Sequence, residues 1–495
     1  MSKAKEKLMN DSFEIKGIWY LPEKDMELNG VKGILKYTPE RITLDLLGAL
    51  EEEEGIVTLS SKRNKSNRII LGFSNYGEML SLHGCFIVKS QSSFPGFDIV
   101  TYVVNHFFVG DQIIEDEDNE IFEDTCFSFT YLDAWMDIFV TERHMYTNSS
   151  KSELHIDLEQ AIGQQKKISI NSENILIYEQ IGYSYQPSID FYSDDTTKIV
   201  IRRFFRLSSI DKTFSSYNCF DKYLHMIRCI LTLLIGSPLY FTYVELNLPN
   251  KTGSIHNEKC RLFFRQIGDI NTAQKISRHN TQSVLFLQKH ICDNFEIIFN
   301  NWFSYKEQLS EVINPYINDL YLPAYIYTKL LNVVRGLETY HRFFIENKEP
   351  QVQTNDEGTL FLHERELIIS FIKENISAEN QVSFIDKISY EDEKSLHKRL
   401  KEILSLTPKR LVEWLFGQLN SSAKSKLIRT IVQTRNYYTH RDSKEKYPLA
   451  ISELVQLDSY IKRLNILLQF HVFKCLGINP LTIEARLIEF FNRFI

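Results

Sequence analysis

The apolar residues of this chain change their period part-way along it, and no single repeating architecture accommodates both patterns. In the first half they come in short alternating runs, as at Ile42, Leu44 and Leu46 and, less cleanly, across Met79-Leu80-Ser81-Leu82. Alternation of this kind belongs to half-buried strands. Turn residues punctuate the runs at Gly17, Pro22, Gly33, Pro39, Gly72, Gly77 and Pro95-Gly96. From about residue 276 the spacing becomes three and four. Ile326, Leu330, Val333, Leu337, Tyr340 and Phe344 follow Pro323, and Leu454, Leu457, Ile461, Leu464 and Leu468 follow Pro448. Those are helical seams, and several of them joined by short loops make a bundle. At 495 residues the chain is also too long for one compact core. The predicted class is therefore α+β multidomain, a β-rich N-terminal half followed by an all-α helical bundle.

Three regions are expected. Residues 1–150 read as a β-rich, sandwich-like domain, with the strand spacing fitting either a sandwich or a barrel. Residues 151–275 read as mixed, with strands over 167–170, 175–180, 198–205, 239–246 and 261–266 and a helix over 219–235. Residues 276–495 read as the bundle, with a polar loop at 346–358 and helices over 391–404, 408–417, 423–441, a long one opened by Pro448, and a short one from Leu481.

Several function classes lose their usual support. The seven cysteines are scattered and form no C-x-x-C or Cys/His cluster, so neither a disulfide framework nor a zinc site is expected, and a cytoplasmic location is. The acidic runs 51–54 and 115–124 lack the ligand spacing of a calcium loop and read as solvated loops. No Gly-rich phosphate loop and no G-x-S-x-G elbow occurs. The most apolar run, 229–241, is broken by Gly236-Ser237-Pro238 and is shorter than the roughly 20 residues of a membrane span. The N-terminus is polar and lacks a hydrophobic signal region. No cofactor, metal or membrane partner is expected. Abundant aromatics, 34 Phe and 25 Tyr, indicate real cores. The net charge of −7 is uneven, since residues 360–495 carry a basic excess that the remainder more than offsets. A basic segment beside an acidic one is compatible with a nucleic-acid enzyme, and equally with ordinary fluctuation.

The bundle contains one chemically unusual stretch, residues 424–446. On a helix, Leu427, Ile428, Ile431, Val432 and Tyr438 share an apolar arc, and Arg435 falls in its middle, where an unpaired charge is costly. Thr439 lies about 40° from Arg435, Asn436 about 100° and His440 about 140°. Asn436 and His440 form an i,i+4 pair. A guanidinium, an amide and an imidazole on one side of a helix suit phosphate chemistry. The structural alternative pairs Arg435 with a carboxylate such as Glu338, Asp442 or Asp458 and leaves His440 as a surface residue. Short motifs of this kind recur by chance, and Arg335 and His341 form a near-copy six positions apart.

The arrangement resembles the HEPN superfamily, whose helical bundles carry an R-x4–6-H motif, often with Asn after the Arg; Arg435, Asn436 and His440 match it position by position. The whole chain looks like the ApeA-type HEPN proteins, in which a β-rich N-terminal region precedes the HEPN domain. Looser matches there are 15–20 (IKGIWY), Ile70-Leu71-Gly72, Gly77, Leu80-Ser81-Leu82 and 127–135 (FSFTYLDAW). HEPN toxins paired with nucleotidyltransferase antitoxins often carry Tyr two positions after the motif His; Asp442 stands there instead.

The resemblance implies a metal-independent endoribonuclease that leaves 2′,3′-cyclic phosphate and 5′-hydroxyl ends and acts in abortive anti-phage defence. It implies Arg435 as phosphate clamp, His440 as general acid or base, and Asn436 as orienter of His440 or phosphate ligand. It further implies RNA, with tRNA a candidate, as substrate and a phage-derived trigger sensed by the N-terminal half. A homodimer through the HEPN domain is implied as well, with the Arg435 stripe facing the second copy. Two other readings stay open: a catalytically silent HEPN module that binds RNA or protein, and a carbohydrate- or protein-binding N-terminal module on a helical dimerisation stalk.

Overall fold

The computed structural model describes residues 3–50, 68–91, 95–96, 98–116, 119–136, 143–148, 151–156, 166–188, 196–209, 214–215, 218–249, 258–270, 273, 281–346, 356–389, 394–441 and 443–492. The chain divides into two compact units. The first comprises Met1–Ser304 with Leu320–Leu322, and the second Tyr305–Asp319 with Pro323–Ile495.

The first unit is built on one antiparallel sheet of 13 strands. In chain order these are β1 (Phe13–Tyr20), β2 (Val31–Thr38), β3 (Arg41–Leu47), β4 (Arg68–Ser74), β5 (Met79–Gln91), β6 (Ile99–Val103) and β7 (His106–Gly110). They continue with β8 (Asp124–Phe129), β9 (Lys167–Ile170), β10 (Ile175–Ser188), β11 (Thr196–Ser209), β12 (Phe241–Asn247) and β13 (Lys259–Phe264). The spatial order is β9-β10-β11-β8-β12-β13-β7-β5-β4-β1-β2-β3-β6, and β6 returns to pair with β5. Strands β5, β4, β1, β2, β3 and β6 thereby close into a six-stranded barrel, and the other seven extend from β5 as an open sheet.

Strand β5 makes this possible by changing partner. Met79–His83 pair with β7, while Phe86–Gln91 pair with β6. Between them Gly84 takes φ +64, and a Cβ there would strike the Asn105 side chain at 2.3 Å, so only glycine turns the strand without strain. The alternation read at Ile42, Leu44 and Leu46 is the buried face of β3. Of the two expected architectures, sandwich or barrel, the strands form the barrel, because β6 pairs back onto β5 and closes the sheet on itself, leaving no free edge there.

Strands β8 and β9–β13 join the same sheet as β7, so the expected boundary at 150 does not separate two units. Nor does the expected boundary near 275 coincide with the observed one at Ser304. Helix α2 (Phe295–Ser304) lies against β9 and stays with the sheet, its Trp302 indole donating to Met226 O at 3.1 Å. Helix α1 (His225–Ile235) is buried along almost its whole surface and ends at Gly236.

The second unit is helical: α3 (Lys306–Tyr321), α4 (Ile326–Phe344), α5 (Asp356–Asn375), α6 (Ala378–Ser389), α7 (Leu396–Leu406), α8 (Lys409–Phe416), α9 (Ser421–His440), α10 (Leu454–Leu476) and α11 (Pro480–Phe491). Helix α4 is central, touching α7, α9 and α10. Helices α5 and α6 escaped the sequence pattern, and α5 begins inside the expected 346–358 loop, whose residues 347–355 lie outside the described residues. Their exposed Leu367, Ile368, Phe371, Val382 and Phe384 break the single-faced seam on which helix recognition depends. Pro448 does not open α10; helix resumes only at Leu454. Among the described residues no helix is long and apolar enough to cross a membrane.

Candidate functional site

Helix α9 begins where Asn420 accepts a hydrogen bond from the Ala423 amide at 2.8 Å, a standard N-cap. Its buried face is Leu427, Ile428, Ile431 and Thr434. Val432 and Tyr438, expected on that face, are half-buried. The stripe is therefore used within the chain's own bundle, against α4 and α7, rather than held out for a second copy. Beyond Thr434 no residue of α9 is buried. Arg435, Asn436, Tyr437 and Tyr438 are half-buried, and Thr439 and His440 are exposed. The motif thus occupies the turn and a half of α9 that emerges from the bundle.

Two contacts hold the loop after α9 back against the helix. Gln433 Oε1 accepts from Leu449 N at 2.8 Å, and Thr434 Oγ1 from Ile451 N at 3.1 Å. The helix itself stops at Arg441, which takes a left-handed conformation (φ 54) while its amide donates to Tyr437 O at 2.9 Å. His440 is thereby fixed as the last helical residue.

The Arg435 guanidinium donates to Asn436 Oδ1 at 3.0 Å. Among the described residues it makes no ion pair. Asp458, one of its expected counter-ions, pairs with Lys462 at 2.8 Å, Glu338 makes no ion pair with Arg435, and Asp442 lies outside the described residues. The structure brings Arg435 and Asn436 together and leaves His440 one turn away with no hydrogen bond from either. Thr439 Oγ1 donates to Arg435 O at 2.8 Å. No acidic residue occurs anywhere in α9, which carries Lys424, Lys426 and Arg429 besides Arg435.

The near-copy resolves differently. Arg335 is exposed, whereas His341 is fully buried, so the two sides of α4 separate them. His341 Nε2 lies 2.6 Å from Glu402 Oε2, and Nδ1 lies 3.3 Å from Arg399. Arg399, 2% exposed, pairs with Glu346 at 2.6 Å, and Lys394 with Glu402 at 3.0 Å. Burial pushes the Glu402 carboxyl up, but hydrogen bonds from His341 and Lys394 outweigh it and leave it below the usual carboxylate range. This network, which no short-range signal reveals, ties α4 to α7.

Sequence reasoning also passed over the aromatic surface beside the motif. Tyr325 and Tyr327 stack at a centroid distance of 5.8 Å, and Tyr327 and Tyr438 at 6.3 Å; Tyr437 meets Tyr438 edge-on at 5.0 Å. The only hint was tyrosine at four positions flanking two helix termini. Among the described residues no group of three or more His, Cys, Asp and Glu side chains is placed to hold a metal ion. All seven cysteines are free, and all but Cys292 and Cys475 are buried.

Comparison with known families covers both units. The model described as ApeA N-terminal domain 1 matches residues 14–302, and the one described as Apea-like HEPN matches residues 331–480, which include Arg435, Asn436 and His440. No curated protein and no solved structure matches the chain. The first match alone spans more than half of the 495 residues, and with the second it establishes that this chain belongs to the ApeA-type HEPN family.

Proposed function

We propose that the protein is a metal-independent HEPN endoribonuclease of anti-phage defence. The observation that supports it most is the half-buried Arg435 with no carboxylate partner among the described residues, presented beside an exposed His440. A guanidinium in that state is arranged to receive an anion bidentately. In the proposed reaction the ribose 2′-oxygen attacks the adjacent phosphorus and the bond from phosphorus to the 5′-oxygen breaks. The products are a 2′,3′-cyclic phosphate and a 5′-hydroxyl. His440 moves the proton, taking it from the 2′-hydroxyl or giving it to the departing 5′-oxygen. Arg435 offsets the charge that grows on the non-bridging oxygens. Asn436 holds the guanidinium in place.

His440 has no positioning partner within its own chain among the described residues, which supports a homodimer in which the second copy completes the site. The first unit, in this reading, senses a phage-derived trigger, and the protein works in the cytoplasm on cellular RNA such as tRNA. The same solitary His440 favours a second reading, a HEPN module that binds RNA without cutting it.

Incubating the full-length protein with total tRNA in EDTA separates them. The endonuclease reading expects new 2′,3′-cyclic ends. It also expects their loss by a factor of about 10² or more in Arg435→Ala and His440→Ala, with melting temperature and solution mass unchanged. Cleavage that persists in both variants rules out the site; retention of uncut RNA by the wild type supports the binding module.

A further inference from the structure

We infer that Tyr325, Tyr327 and Tyr438 form a base-stacking platform that seats unpaired nucleotides of RNA beside Arg435. This inference rests on the RNA-directed reading above, but it concerns binding and is tested apart from cleavage.

The rings form a ladder. Tyr325 and Tyr327 lie nearly parallel, 2° apart, and Tyr327 and Tyr438 15° apart, at centroid distances of 5.8 and 6.3 Å. Those are offset-stacked geometries. Residues two apart do not face each other within a helix. Tyr325 reaches Tyr327 because it is the N-cap of α4 and has extended backbone, φ −60 and ψ 144. The turn that presents it is fastened: Asp319 Oδ1 accepts from Ala324 N at 2.6 Å, and Asp319 pairs with Lys329 at 3.0 Å. Tyr325 is nevertheless 77% exposed and Tyr327 40%. Aromatic rings held in register and left wet gain little from burial, so packing alone does not account for them.

Position argues for the occupant. Tyr438 is one helical turn from Arg435, and Tyr437 one turn from His440, so the ladder starts at the phosphate-binding group. Helix α9 between them is cationic and contains no acid. A second copy that completes the site at His440 would bring the same positive charge with it, so the group between the copies must be an anion. A polyanion with flat, sequence-tolerant π-faces satisfies both features, since bases stack on the tyrosines while phosphates meet Arg435 and the α9 cations. Duplex RNA keeps its bases stacked internally, so the platform selects unpaired nucleotides.

The test uses the full-length His440→Ala protein, which keeps RNA intact if the chemistry is as proposed. Binding of a labelled single-stranded RNA and of the same RNA annealed to its complement is measured by fluorescence anisotropy. Tyr325→Leu and Tyr327→Leu should each weaken single-strand binding about tenfold, and Phe at the same positions should restore it. Duplex binding should change less than twofold. Tyr325, being exposed, cannot unfold the protein when replaced. Unchanged single-strand binding in both Leu variants, or no single-strand binding by the parent, overturns the inference. So does a change in solution mass without a change in RNA affinity, which would make the ladder a contact between copies. Normal, Tyr-dependent binding by a wild type that never cuts RNA leaves the ladder standing and removes only the endonuclease reading.

Discussion

At the scale of single residues, the decisive contrast is between two arginines on one bundle. Arg399 is buried and met by Glu346, the compensation a desolvated charge requires, whereas Arg435 is half-buried and among the described residues is met by the Asn436 amide alone. The identity of residue 436 then controls how available that charge is. Asn436→Ala should lower cleavage about tenfold by freeing the guanidinium to wander, the loss of one hydrogen bond to a charged group. Asn436→Asp should cost more, mainly as a higher KM, because a carboxylate at 3.0 Å pairs with Arg435 and repels phosphate. Steady-state kinetics on one RNA substrate decides it. An Asp variant as active as wild type would show that Arg435 does not bind phosphate.

At the scale of elements, the bundle depends on one close approach. Gly336 in α4 sits against α3 and α10, where a Cβ would lie 2.7 Å from Val312 O and 2.9 Å from a Leu468 methyl. Alanine is better than glycine in a helix interior by about 1 kcal/mol, yet here the obstructing atom is backbone and cannot swing aside. Gly336→Ala should therefore destabilise the protein by about 1–3 kcal/mol, seen as a lower urea midpoint. A midpoint at or above the wild-type value would refute the close packing of α3 on α4. The His341–Glu402 and Arg399–Glu346 links act at the same scale, fastening α4 to α7 and so fixing the floor on which α9 lies.

At the scale of the whole molecule, the two units carry buried titrating groups of opposite effect. Burial pushes the Glu179 carboxyl in β10 up to about 7, against hydrogen bonds from Lys166 N and Gln288 that pull the other way. Its folded form binds the proton more tightly than the unfolded chain, so its contribution is full below about 4.5 and is lost as pH rises to about 7. Burial pulls His471 in α10 down to about 3, helped by Lys474, and its ring stays neutral, 2.9 Å from Thr407 Oγ1. The folded form binds the proton less tightly there, so its contribution is full above 6.5 and is lost as pH falls toward 3. Between pH 4.5 and 6.5, acidification should strengthen the sheet unit through Glu179 and weaken the helical unit through His471. Each term is limited to about 1.4 kcal/mol per pH unit. Glu179→Gln and His471→Leu should remove the respective slopes from thermal melts taken between pH 4.5 and 7. Parallel pH profiles for wild type and both variants would contradict this.

What the sequence determined by itself is what local spacing encodes. The two periods separated a sheet from a bundle, and helix α9 was legible within two residues at each end because cap, apolar seam and terminus are all short-range. Arg435, Asn436 and His440 were legible as a motif for the same reason. Helices α5 and α6 were not, since their apolar residues do not form one face. Long-range pairing in the fold settled that neither Glu338 nor Asp458 meets Arg435, and that the alternating strands close into a barrel rather than stack into a sandwich. It also decided that His341 is a buried tie rather than a second motif histidine, and that Tyr325 and Tyr327 align with Tyr438. Each of these depends on pairing between segments tens to hundreds of residues apart, as in β5 with β6, α4 with α7 and α4 with α9. Spacing along the chain carries no record of which distant partner a face will find.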